Sequence, residues 1–315
     1  VSRLVPCLAC AASAEPEQAL VPDLMAGPLP ALNDTEGPRL PESLPTVIDA
    51  HVHLFPQTMF RALWRWFETH GWPVRYRLDS PQVLDFLFSR GVEHVVGLHY
   101  SHRPGMARGL NRYVADLAAR EPRLTGLATV LPGEPDAAYI LDEAFSLGLR
   151  GVKLHCHVQA FAIDAPELTE LFEVCTRWDR PMVIHAGREP RSPAYPVDTH
   201  SICHVDRVRA VLQAWPKLKL CVPHLGADEF DGYLGLLGRF DNLWLDTTMM
   251  VADYFPHAGV ERFIQARPDR ILYGTDFPNL PYAWDREVVR IARLGIAEDS
   301  LAQVLSQTTR GLYGI

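Results

Sequence analysis

No stretch of the 315 residues stays apolar for the roughly 20 positions that a bilayer-crossing helix needs, because charges and prolines interrupt every hydrophobic run. The chain is therefore read as soluble, with no membrane partner. Basic blocks are missing too: the formal net charge is -8 at pH 7 and no Lys/Arg-rich cluster occurs, which argues against nucleic acid as a partner. Cysteine is sparse. Cys7, Cys10, Cys156, Cys175, Cys203 and Cys221 are scattered rather than arranged in the dense framework of a small secreted domain, so reduced thiols in a cytoplasmic protein are expected. Cys7 and Cys10 form a lone CxxC with no second pair at metal spacing. The opening "VSRLVPCLACAASAEPE" has the Ala-Ser-Ala of a secretory cleavage site, but Pro6 breaks its apolar stretch and Arg3 is its only basic residue. A glycine-rich phosphate loop is also lacking, since the first apolar run leads into "HVHLFPQ"; a doubly wound dinucleotide-binding sheet is disfavoured.

What is present is a repeated unit. From Val47 onward a short apolar run ending in polar residues alternates with a longer segment of helical spacing. The runs are "VIDAHVH", "VEHVVGLHY", "LTGLATVL", "RGVKLHCH", "PMVIHAG", "LKLCVPH", "NLWLDTT" and "RILYGTDF". Helix-like stretches between and after them include 81–90, 109–120, 137–147, 167–178, 206–215, 258–265, 284–294 and 299–305. Strands apolar on both faces and separated by helices are parallel and helix-covered, and this number of them matches a (β/α)8 TIM barrel of the α/β class. The barrel is expected over residues 46–315. The Pro-rich, aperiodic segment 1–45 reads as an extended N-terminal arm.

In such a barrel the active site lies at the carboxyl ends of the strands, so the polar residues closing each run should converge. They are His51, His53, His99, Lys153, His155, His157, His185, His224, Asp246 and Asp276. Residues at i and i+2 project to one face of a strand, so His51 and His53 can both reach the barrel axis. With His185 and Asp276 they make a nitrogen-rich, oxygen-supplemented donor set that suits Zn²⁺, with Mn²⁺ or Fe²⁺ as alternatives. A single histidine after a strand more often packs or hydrogen-bonds; the combination at the ends of strands one, five and eight points to a metal.

The segments "DAHVH", "VIHAG", "VPHLGA" and "YGTDFP" together resemble the amidohydrolase superfamily, in particular its amidohydrolase-2 branch of metal-dependent TIM-barrel hydrolases, over about Thr46 to Ile315. The resemblance implies His51, His53, His185 and Asp276 as ligands of one divalent ion, Asp276 as the group that takes and returns a proton, and His224 as an acid/base or oxyanion-stabilising residue. A bound ion of this kind brings the pKa of water from 15.7 to about 7 and polarises carbonyls. Lys153 stands where binuclear members of the superfamily carry a carboxylated, metal-bridging lysine, so either a second ion or a salt-bridged or substrate-binding lysine is open. Arg188 and Glu189, in "HAGREPRSPAY", are candidate substrate contacts, as are His155 and His157, taken to share the Lys153 face of strand four.

The substrate is expected to be a small molecule. The first reading is hydrolysis of an amide, lactone or ester, mildly favoured by the acidic residue just after the strand-five histidine; the alternative is non-oxidative decarboxylation, which the same branch also performs. A catalytically silent metal-binding barrel comes last, because every expected position is filled. The aromatic-rich "LWRWFETHGW", Leu63 to Trp72, is assigned to a long loop after strand one, as a lid or a contact within a homo-oligomer.

Overall fold

The computed structural model describes residues 29–253 and 259–315. Cys7, Cys10, the first part of the arm and Ala258 lie outside the described residues. Among those described, eight parallel strands follow one another in chain order: β1 (Ile48–His53), β2 (His94–Leu98), β3 (Leu124–Gly126), β4 (Val152–His155), β5 (Met182–His185), β6 (Leu220–Val222), β7 (Leu243–Asp246) and β8 (Ile271–Leu272). They form two ladders, β1-β2-β3 and β4-β5-β6-β7-β8. An isolated parallel bridge spans each seam, Ala128 to Val152 on one side and Val52 to Phe277 on the other. The order therefore runs round a (β/α)8 barrel.

Helices occupy the segments between strands. Most lie within two or three residues of their sequence-read positions, for example α2 (Ser80–Ser89), α3 (Ala107–Arg120) and α4 (Ala137–Ser146). The start of α2 has a local cause: Asp79 accepts from Gln82 N at 3.0 Å while the Gln82 side chain accepts from Asp79 N at 2.9 Å, a reciprocal cap just before Ser80-Pro81. The main core is the layer between strands and helices; a second apolar cluster, including Ala50, Val96, Leu127, Val183, Cys221 and Leu272, fills the lumen. The lower lumen is thus packed, which leaves the strands' carboxyl ends to line the cavity.

Two readings change, and one strand is less regular than expected. Leu63–Trp72 is not a loop: α1 (Gln57–His70) covers most of it, with Phe60, Leu63, Trp64 and Phe67 at helical spacing. His157 does not continue β4 but lies on the short helix Cys156–Gln159, so it does not share a strand face with Lys153 and His155. The alternation of β1 is also irregular, because its register with β2 shifts between Asp49 and Val52. Irregularities of this kind re-aim side chains beside active sites, and here the shift spans His51, whose ring centroid lies 5.4 Å from that of His53.

Residues 29–47 contain no helix or strand and are tied to the segment after β8, with Ala31 N donating to Pro281 O at 2.8 Å and Arg286 pairing with Asp34 at 3.1 Å. No helix among the described residues is long and apolar enough to cross a membrane.

Candidate metal centre

β1 delivers His51 and His53, and the turn after β8 delivers Asp276. Gly274 makes the approach feasible: a Cβ there would meet Thr248 Oγ1 at 2.6 Å and His51 Cβ at 2.7 Å, so only hydrogen fits where the β8 chain passes β1. Asp276 N donates to His51 O at 2.9 Å and fixes the pairing. The backbone of Asp276 is left-handed at φ 76°, as is that of His224 at φ 57°. Neither is glycine, and such geometry is maintained only where the surroundings enforce it, commonly at functional sites.

The ligand atoms of His51, His53 and Asp276 all lie within 4.8 Å of one another, and all three residues are buried. His53 Nε2 is 2.7 Å and His51 Nε2 3.3 Å from Asp276 Oδ1. Two imidazole nitrogens and a carboxylate oxygen aimed at one point are a donor set for a divalent ion. The far side of His51 supports this fit: its Nδ1 donates to Asp246 Oδ2 at 2.8 Å, which turns the Nε2 lone pair toward the cavity. The Asp246 carboxylate also accepts from the backbone N–H groups of His224, at 2.9 Å, and Thr248. Burial pushes the Asp276 and Asp246 carboxyls up, but the histidines outweigh it, His53 first for Asp276 and His51 first for Asp246, and hold both well below the usual carboxylate range. Burial and the Lys153 charge push His51 down to about 4. Asp276 and Asp246 are thus ionised and His51 neutral at neutral pH, the forms that bind metal.

Lys153 Nζ lies 3.4 Å from His51 Nε2, and burial lowers its pKa to about 8 against the opposing pull of Asp246 and Asp276. His224 Nδ1 donates to Thr248 O at 3.0 Å, so its Nε2 is the free nitrogen. His185 is near but not gathered with the three: its Nε2 donates to Glu189 O at 3.0 Å and its ring stacks on His155 with centroids 4.2 Å apart. His157 Nε2 donates to Gly187 O at 2.8 Å. Glu189 lines the cavity with its carboxylate held by His200 Nε2 at 2.8 Å and Arg191 N at 2.7 Å. Arg188 is turned away, donating to Asp228 at 2.7 Å, and does not line the cavity.

Sequence reasoning gave no role to two aspartates. Asp246 stands at a strand end like the candidates, a signal that was visible. Asp49 is the other: it accepts from Thr275 Oγ1 at 2.6 Å and from the Thr275 and His51 backbone at 3.1 Å each, and so joins β1 to the turn carrying Asp276. Burial pushes its carboxyl up to about 7 despite those bonds. Its place two residues before His51 was the available clue.

These side chains floor a cavity of about 380 Å³, with His51, His53, Lys153, His155, His185, His224 and Asp276 at the base and apolar residues of α1 on the wall. Residues 48–315 match the family model described as Amidohydrolase, the amidohydrolase-2 model. The chain belongs to the amidohydrolase-2 family. Members of that family are enzymes. No curated protein matches the chain. Among solved structures, an uncharacterized TIM-barrel protein of Bordetella bronchiseptica superposes with a TM-score of 0.66 at 21% identity over 85% of this chain and 98% of its own. The 5-carboxyvanillate decarboxylase of Sphingomonas paucimobilis gives 0.63 at 18% identity, covering 86% and 99%. A dihydroxybenzoic acid decarboxylase of Polaromonas sp. JS666, solved with manganese and 2-nitroresorcinol, gives 0.67 at 16% identity, covering 86% and 97%. At these identities the likeness establishes the (β/α)8 barrel fold alone.

Proposed function

We propose that this amidohydrolase-2 protein is a metal-dependent hydrolase of an ester, lactone or amide bond in a small molecule. The observation that carries the reading is the convergence of the His51, His53, Asp276 donor set with two proton-transfer groups, Asp276 and His224, on the floor of one cavity. A divalent ion held by His51, His53 and Asp276, zinc or manganese by donor type, supplies Lewis acidity toward a carbonyl and lowers the pKa of water toward about 7. Asp276 Oδ1, 2.7 Å from His53 Nε2, faces the ion position, which leaves Oδ2 to take the proton of the attacking water and return it to the leaving group. His224, with Nδ1–H fixed on the Thr248 carbonyl, presents Nε2 as a base and, once protonated, as an acid. Lys153 provides positive charge beside His51 where a carbonyl oxygen gains negative charge. The apolar wall limits water entry.

The second reading, non-oxidative decarboxylation, is supported by the aromatic-acid decarboxylases among the structural neighbours. Turnover by metal-loaded and chelated protein of ester, lactone and amide panels, alongside aromatic carboxylates, tests both. Incorporation of solvent ¹⁸O into a product acid is the expected result. Release of CO2 without that label would replace hydrolysis by decarboxylation, and no metal-dependent turnover on any panel would overturn both.

A further inference from the structure

Above the polar floor the cavity changes character. Met59, Leu63, Trp66 and Phe67 of α1, with Trp72 and Tyr195, form an upper wall that is apolar and largely aromatic. Trp66 and Tyr195 meet across it with ring centroids 5.4 Å apart, and Phe67 and Trp72 pack at 4.8 Å. Among the described residues no arginine lines the cavity, and Lys153, at the floor, is the one lysine that does. The one carboxylate on the wall, Glu189, has its oxygens engaged by His200 and by the Arg191 backbone. A charged group in this upper half would lose water and gain no free counter-charge, which costs several kcal/mol. Besides His53 Nδ1 and His155 Nδ1, one buried polar atom of the described lining lacks a partner. Asn279 lines the cavity, is buried, and its Oδ1 meets no hydrogen-bond donor among the described residues. Its backbone carbonyl accepts from Trp72 Nε1 at 2.7 Å, so the amide is held against the aromatic wall.

We infer that the upper half of the cavity is a subsite for an uncharged aromatic ring of the substrate, closed by Trp66 and Tyr195 and anchored through an O–H or N–H on the ring to the Asn279 amide. The inference names the substrate class for the proposed hydrolase and rests on that reading only for what happens at the floor. Rings bury large area and gain further from edge-to-face and offset contacts with Trp and Tyr, which gives the wall its preference for flat groups. A buried amide without a partner discriminates strongly in favour of a group that completes its hydrogen bond.

Binding, independent of turnover, tests it. Calorimetric titration of chelated and metal-loaded protein would compare 2-naphthol with 2-methoxynaphthalene, naphthyl-2-trimethylammonium and 6-hydroxynaphthalene-2-sulfonate. The expected order places 2-naphthol tightest, with both ions weaker by about tenfold or more. Trp66→Leu and Tyr195→Leu each weaken 2-naphthol about fivefold, and Asn279→Ala weakens 2-naphthol but not the methoxy compound. Metal content and circular dichroism should stay as in the wild type. If a leucine variant fails to fold, Trp66→Phe and Tyr195→Phe replace it, with a smaller loss in the same direction. Equal or tighter binding of the trimethylammonium compound would mark a cation cage and overturn the inference, as would equal binding of the sulfonate or unchanged affinity in the folded variants. Binding in the expected order without hydrolysis of any aromatic ester would retain the subsite and overturn the reaction instead.

Discussion

Replacing Asp246 by asparagine should weaken metal binding without removing any of the three gathered ligand residues. The carboxylate holds His51 Nδ1 at 2.8 Å and also receives the His224 and Thr248 amides, so it fixes both the tautomer and the direction of His51. Its charge is retained across the neutral pH range because the adjoining histidines hold its pKa low. Asparagine keeps the shape and an acceptor but removes the negative charge that raises the basicity of His51 Nε2. Partners of metal-bound histidines typically contribute 10- to 100-fold in metal affinity, which corresponds to about 1.4 to 2.8 kcal/mol. Competition with a chromophoric chelator would measure the dissociation constant for Zn²⁺ and Mn²⁺ in wild type, Asp246→Asn and His51→Ala. The variant is expected to fall between the other two. An affinity equal to wild type in Asp246→Asn, while His51→Ala loses the ion, would refute the orienting role.

Other consequences follow from the same geometry. Gly274→Ala forces a Cβ against His51 Cβ and Thr248 Oγ1 and should cost about 1 to 3 kcal/mol in urea unfolding, with weaker metal binding; wild-type values for both would show that the β1–β8 approach is not tight. Lys153 in the metal-free protein has a folded pKa of about 8 against 10.5 for the free side chain, so between those values the unfolded chain binds more protons and stability rises with pH, by up to about 3 kcal/mol. Chelated Lys153→Met should lack that rise, and equal slopes in wild type and variant would contradict the assignment. Asp79→Ala removes the reciprocal cap of α2 and should destabilise by about 1 kcal/mol, read as a lower urea midpoint at constant slope.

The barrel was legible because its strands are apolar on both faces and its polar residues cluster at one end, a pattern that amino-acid order alone preserves. The same regularity misled at β4. At β1 alternation places His51 and His53 together, as the structure does, although the register shift around His51 is set by pairing with β2, which no single strand encodes. His157 follows the i, i+2 rule from His155 on paper, yet the chain turns into a helix at Cys156. In α1 the concentration of aromatics drew attention away from their helical spacing after Pro56. Arg188 is drawn away from the cavity by Asp228 and Glu229, which stand forty and forty-one positions along the chain in the next βα loop, an encounter only the closed barrel brings about. Asp246 and Asp49 were visible as residues but silent as partners, since their roles depend on what faces them across the lumen.

The central claim is that His51, His53 and Asp276 hold a divalent ion, and elemental analysis of purified wild type beside His53→Ala tests it most directly. The account predicts about one zinc or manganese per chain in the wild type, falling to near zero in the variant while the circular dichroism spectrum is retained. Wild-type protein that stays metal-free after reconstitution, or a variant that keeps its full metal content, would contradict it.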